Sequence, residues 1–251
     1  EKVKVTVSAT GDGLTYKWYY KNKGASKFLY TSTFDNKPSY TVTMDDTRDG
    51  RQIYCVITDK YGVEIKTNTV TIGLPAVITK QPSNASAAIG STIKTTVSVS
   101  GHGLTYQWYV KNYGDSEFVK SSITKKTYSY TMTESKAGRE VYCVITDMFG
   151  NKVQTKTVTL KSNIKIISQP TNVSAAVGKK VSTSVTATGT DLKYQWYVRN
   201  YSQKGFYPSS ITDATYEYVM TAEKSGRQAY CVITDRFGNS VTTDTVTFTK
   251  K

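Results

Sequence analysis

The sequence says one thing three times. "GRQIYCVITDKYGV" from Gly50, "GREVYCVITDMFGN" from Gly138 and "GRQAYCVITDRFGN" from Gly226 each set a single cysteine inside an apolar run. Cys55, Cys143 and Cys231 are 88 residues apart at each step, and Trp18, Trp108 and Trp196 are 90 and 88 apart. Solenoid repeats run roughly 20 to 50 residues, so a period this long predicts three small domains with separate cores. We expect their limits at 1–73, 74–162 and 163–251. Repeats two and three open with "VITKQPSNASAAIG" and "IKIISQPTNVSAAVG", whereas repeat one begins at Glu1, aligned with Ser91, just after that segment. The expectation is that the chain is part of something longer, with any export signal or wall anchor outside it.

Alternation sets the fold class. In "LTYQWYVK", Leu104, Tyr106, Trp108 and Val110 share one parity and Gln107, Tyr109 and Lys111 the other, as in a strand with one buried face. "TYSYTMT" places Tyr128, Tyr130 and Met132 together, with Tyr40, Val42, Met44 and Tyr216, Tyr218, Met220 as counterparts. Short turn-rich stretches such as "GHG", "NYGDSE", "SKAGR" and "DMFGN" separate the runs. No helical period is sustained. The prediction is an all-β chain with about seven short strands per unit, eight to ten residues at the longest.

The order "QPSNASAAIG", "VSVSGHGLTYQWYV", "GREVYCVITDMFGN" resembles an immunoglobulin-like domain, with a Trp on the third strand and a Cys on the sixth. The wording is similar to the immunoglobulin-like repeats of large surface or secreted proteins of gut Firmicutes. The resemblance implies three tandem β-sandwiches and an extracellular or cell-surface location. The chain departs from the family twice. The second-strand cysteine of the inter-sheet disulfide is replaced by Val7, Val97 and Val185. The corner tyrosine, two residues before the Cys, gives way to Ile53, Val141 and Ala229, with Tyr54, Tyr142 and Tyr230 one position later.

One Cys per unit closes no disulfide within it, and buried centres of separate domains cannot meet within about 7 Å. A reactive thiol needs a His, a cation or a helix terminus beside it, and the only His is His102, in a turn. The reading is therefore a structural core of Trp18 with Cys55, Trp108 with Cys143 and Trp196 with Cys231, each thiol reduced and packed.

Parity also creates the one candidate binding surface. With Trp108 and Cys143 inward, Tyr109, Tyr142 and Val144 face outward on neighbouring strands. Tyr19, Tyr54, Val56 and Tyr197, Tyr230, Val232 are the equivalents. Tyrosines flanked by lysine stack on sugar rings or anchor a protein partner. The competing reading is a cross-strand pair that stabilises the sheet, or a segment such as "SEFVKSS" folded over it.

Other chemistry finds few raw materials. With one His and no GxSxG, HExxH or phosphate loop, catalysis, cofactors and metal sites are not expected. "DDTRDG" from Asp45 imitates the start of a calcium loop, but Val56 stands where the closing Glu belongs. Asp59, Asp147 and Asp235 precede Gly turns and suit acceptance of backbone N–H groups. Asn22, Asn112 and Asn200 end a strand, where a turn role is simplest. No run approaches the roughly 18 apolar residues that span a bilayer, so membrane insertion is not expected.

The net charge of +14 divides into +3, +6 and +5 over the three units, a diffuse basic surface attractive to polyanions in general. No groove-entering helix or dense basic stripe points to nucleic acid. Short connections without Gly/Ser-rich stretches suit a semi-rigid monomeric stalk. The alternative is a set of adhesin-type modules that bind glycan, cell-wall polyanion or host protein through the tyrosine faces.

Overall fold

A computed structural model describes residues 1–251. Three β-sandwiches follow one another, each around its own cluster of buried side chains, of 7, 13 and 10 residues in chain order. In the second, strands 119–120, 105–111, 139–146, 158–163 and 85–88 bond side by side in that order, with 152–154 also on 139–146. The opposite sheet pairs 77–80 with 98–100 and 92–96 with 127–131. Strand 85–88 runs parallel to 158–163, so the opening segment crosses between sheets and serves both. The third sandwich repeats this plan, including the parallel pair 173–175 with 246–250. This is the immunoglobulin-like topology. The first sandwich lacks the opening segment: its sheets are 29–31, 15–21, 51–58, 64–66 with 70–72, and 2–6 with 39–43.

Alternation builds the core. Strand 139–146 buries Val141, Cys143 and Ile145 completely while Tyr142, Val144 and Thr146 face out. Trp108 lies directly across from Cys143, as Trp18 does from Cys55 and Trp196 from Cys231. Each indole then donates to a main-chain carbonyl, of Lys37, Lys125 or Asp213, at 2.8 to 2.9 Å, so its one polar atom is satisfied inside. Val97 and Val185 fill the place of the family's second cysteine at 0% and 2% exposure. Val7 packs at the edge of the first core without being fully buried.

The strands are shorter than the eight to ten residues the pattern suggested. The longest are the cysteine strands, at eight residues, and many have three to five. One cause repeats in every unit. The last strand breaks where Thr67, Thr155 or Thr243 turns its hydroxyl inward to accept the N–H of the cysteine at 2.9 to 3.0 Å. The side chain substitutes for a ladder bond, and the chain resumes pairing three residues later.

Candidate functional site

The outer tyrosines meet as parity requires. Tyr19 is paired across strands with Tyr54, Tyr109 with Tyr142 and Tyr197 with Tyr230. Their rings stack nearly parallel, with centroids 5.0, 5.0 and 5.3 Å apart. A third ring closes each group: Phe28, Phe118 or Phe206 stands edge-on against Tyr54, Tyr142 or Tyr230 at 4.8 to 4.9 Å. Phe118 belongs to the "SEFVKSS" segment, which folds over the pair. A cation caps the phenylalanine in turn, from Lys21, Lys111 or Arg199 at 4.9 to 5.1 Å. All six tyrosines are left half-buried. Burial, and then the neighbouring ring of Tyr19 or Tyr109, raises the phenols of Tyr54 and Tyr142 above their ordinary value.

The cysteines lie beneath, on the inner side of the same strands. All three are free and fully buried. Burial pushes Cys55 and Cys231 up to about 11 and Cys143 to about 12, which removes the thiolate that nucleophilic chemistry needs.

A recurrent cluster was not read from the sequence as a unit. Arg51, Arg139 and Arg227 open the cysteine strand, and each guanidinium reaches inward along the sheet. Nε donates to Asn22, Asn112 or Asn200 Oδ1 at 2.7 to 2.8 Å. Nη1 donates to the hydroxyl of Tyr40, Tyr128 or Tyr216 at 2.8 to 3.1 Å. The asparagines therefore orient an arginine as well as ending a strand. Each cluster thereby ties an arginine of one sheet to a tyrosine of the opposite sheet.

The aspartates divide by role. Asp147 and Asp235 accept the N–H groups of Phe149 and Asn151, and of Phe237 and Asn239, at 2.9 to 3.0 Å, as the turn reading required. Asp59 does the same for Tyr61 and Val63. Burial of Asp147 opposes its charge, but hydrogen bonds from Asn151 and the amides of Ala76 and Phe149 outweigh this and hold the carboxyl below its ordinary value. In "DDTRDG", Asp45 accepts from Thr47 and Arg48, and Asp49 turns away toward the second sandwich. No three His, Cys, Asp or Glu side chains gather to hold a metal ion.

The joints carry the densest unexpected chemistry. Only Gly73–Ala76 separate strand 70–72 from 77–80, and only Ile164 separates 158–163 from 165–168. At the first joint, His102 Nδ1 sits 3.0 Å from Asp49 Oδ2. Asp49 Oδ1 accepts the Leu74 N–H at 2.8 Å, and Asp147 Oδ2 accepts that of Ala76 at 3.2 Å, so carboxylates from both sandwiches hold the connector. At the second joint Tyr113 receives Phe237 edge-on at 6.4 Å and the Arg236 guanidinium 4.7 Å over its ring. Beside them the hydroxyls of Ser162 and Thr190, both buried, share a hydrogen bond of 2.5 Å.

The sequence matches no protein-family model and no curated protein. Among solved structures it is similar to extracellular domains 3–5 of Drosophila OTK, at 13% identity over 100% of this chain and 92% of that one, with a TM-score of 0.42. Titin domains I67–I69 match at 14% identity over 100% and 92%, with a TM-score of 0.41. The eight N-terminal Ig domains of Down Syndrome Cell Adhesion Molecule match at 14% over 99% of this chain and 34% of that one, at 0.45. These likenesses concern the arrangement of strands, and the immunoglobulin-like description stands on the sheet order above. No helix is long and apolar enough to cross a membrane.

Proposed function

We propose that the chain is a non-enzymatic, semi-rigid extracellular spacer in a bacterial surface or secreted protein, with units at 1–73, 74–162 and 163–251. The observation that carries this reading is the pair of joints. A flexible tether needs neither a partly buried His–Asp contact nor an Arg–Tyr–Phe stack, and connectors of four residues and one leave little chain to bend. The bracketed connector amides resist hinge motion directly, because bending would strip them of acceptors in a partly buried site. Each cysteine, carboxylate and guanidinium described above already serves packing or bracing, which supports the non-enzymatic part.

A second reading assigns binding to the tyrosine faces, for glycan, cell-wall polyanion or host protein. It is favoured by the cations beside half-exposed rings, Lys66 lying 4.0 Å over Tyr54 in the first unit. Against it, each pair is already stacked and capped by phenylalanine, so less ring face remains for a sugar. Glycan-array and wall-binding assays of the whole chain, with Tyr19, Tyr109 and Tyr197 changed to Ala in parallel, separate the two. Saturable binding that the substitutions abolish would replace the spacer reading; no binding at any salt leaves it standing.

A further inference from the structure

The two joints differ in charge as well as in packing. At the second, Lys111 Nζ pairs with Glu140 Oε2 at 3.0 Å across strands, and Asn112 Nδ2 donates to Asp115 Oδ2 at 3.1 Å. Tyr113, on the same turn, packs against Gly138 and meets Phe237 and Arg236. Two carboxylates and an aromatic ring therefore occupy the polar groups and the space beside that joint.

At the first joint the lysine and asparagine recur as Lys21 and Asn22, and their partners do not. Gln52 stands in the place of Glu140, Ala25 in that of Asp115 and Lys23 in that of Tyr113. These residues line a pocket of about 330 Å³, to which Thr71 adds a hydroxyl and the second sandwich adds His102 and Met148. No Asp or Glu lines it. Lys21 Nζ rests 5.0 Å from the Phe28 ring, and no carboxylate of the chain pairs with Lys21 or Lys23. Asn22 gives its Oδ1 to Arg51, which leaves its Nδ2 to donate elsewhere. The Cε1–Nε2 edge of His102 lies against Gly50, where any side chain would collide with it, while Nδ1 donates to Asp49 Oδ2 at 3.0 Å. In the neutral ring Nε2 is then an acceptor.

An opening segment does not reach this place. In both sister units it bonds to the far edge of the last strand, with two strands between it and the strand that ends in Lys111 or Arg199.

We propose that the first joint is a binding site for an acidic saccharide, a sugar carrying one carboxylate. The two unpaired ammonium groups take the carboxylate, as mobile point charges that need no fixed fork. The amides of Asn22 and Gln52, the Thr71 hydroxyl and His102 Nε2 match the hydroxyls of a sugar ring. The volume falls near the lower end of the roughly 300–1,000 Å³ of small-ligand sites, room for a monosaccharide and more than a bare oxyanion fills. This goes beyond the spacer reading, since the bracing of the joint uses none of these lysines and amides. Because the pocket draws on both sandwiches, a bound ligand also favours the closed joint.

The test titrates glucuronate, glucose and inorganic phosphate separately into the full chain at fixed ionic strength and follows amide resonances. Glucuronate should give saturable shifts at residues 22–25, Gln52, Thr71 and His102, and none at Asn112 or Asn200. Glucose should give none, and higher salt should weaken glucuronate. Gln52→Glu and Lys23→Tyr each install what the second sandwich already carries at that position, so the fold tolerates both. The first should weaken glucuronate binding about tenfold or more, because a carboxylate then faces the ligand and claims Lys21. The second should weaken it severalfold. Tyr109→Ala and Tyr197→Ala should leave it unchanged, which separates this site from the tyrosine faces. Absence of saturable shifts with glucuronate overturns the inference. So do equal binding of glucose, phosphate bound as tightly as glucuronate, or undiminished binding in Gln52→Glu.

Discussion

Gly73→Ala is the sharpest probe of the first joint, because Gly73 has no positive φ and the new methyl meets only space already taken. A Cβ there would lie 2.8 Å from His102 Cβ and 3.1 Å from Asp49 Oδ1, against ordinary contact at 3.4–4 Å. An overlap of about half an ångström or more, if absorbed in place, carries the roughly 1–3 kcal/mol typical of overpacking. A joint has a cheaper escape than a core, since it can open. Opening forfeits the His102–Asp49 contact and the Leu74 hydrogen bond, worth about 0.5–1.5 kcal/mol for a neutral bond and more with a charge. The expected outcome is a loosened joint with both sandwiches intact. In residual dipolar couplings the first unit should align independently of the second, while the unfolding midpoint of each unit stays near the parent's. A double-mutant cycle isolates the cause: in a His102→Gly background only Asp49 Oδ1 at 3.1 Å stays close, and Gly73→Ala should add much less than in the parent. Unchanged His102 resonances and unchanged relative alignment in Gly73→Ala would refute the packed joint.

Four further outcomes follow from the same geometry. Thiol reagents should label the native chain slowly and the unfolded chain at three sites, and rapid native labelling would contradict the burial of Cys143. Because burial raises the thiols from 9.0 to about 11–12, the folded state holds its protons longer than the unfolded one; stability is unaffected by them below about pH 9 and falls as pH climbs from there toward 12, measurable by denaturant titration. Arg139→Lys, which cannot fork to Asn112 and Tyr128 together, should cost the second unit about 1.5–3 kcal/mol, and a loss under about 0.5 kcal/mol would show the cluster to be idle. Tyr113→Ala should loosen the third unit against the second, with Phe237 and the Ser162–Thr190 bond still in place, and leave the first joint ordered, read by the same couplings.

What could be read before the structure was whatever repeats at short range. Period-two alternation placed Trp108, Cys143, Tyr109 and Tyr142 on their correct faces, because parity is a local property of an extended chain. The Asp–Gly turns were visible for the same reason: Asp147 serves amides two and four residues on. Contacts that close over distance were not. Arg139 meets Asn112 across 27 residues and His102 meets Asp49 across 53, and nothing in local pattern names such partners. Recurrence was the usable signal for the arginine cluster, since Asn, Tyr and Gly-Arg all return in each unit. His102 occurs once and offered none. Strand lengths were overestimated because Thr155 looks like any strand residue; only its hydroxyl, turned onto the Cys143 amide, shows why pairing stops.

The central claim, that three sandwiches move as one rod, is tested most directly by residual dipolar couplings measured across the whole chain. Locked joints predict one common alignment tensor for all three units, in orientation and magnitude. Three tensors differing severalfold in magnitude would mean beads on a string, and the spacer reading would fail with the joints that carry it.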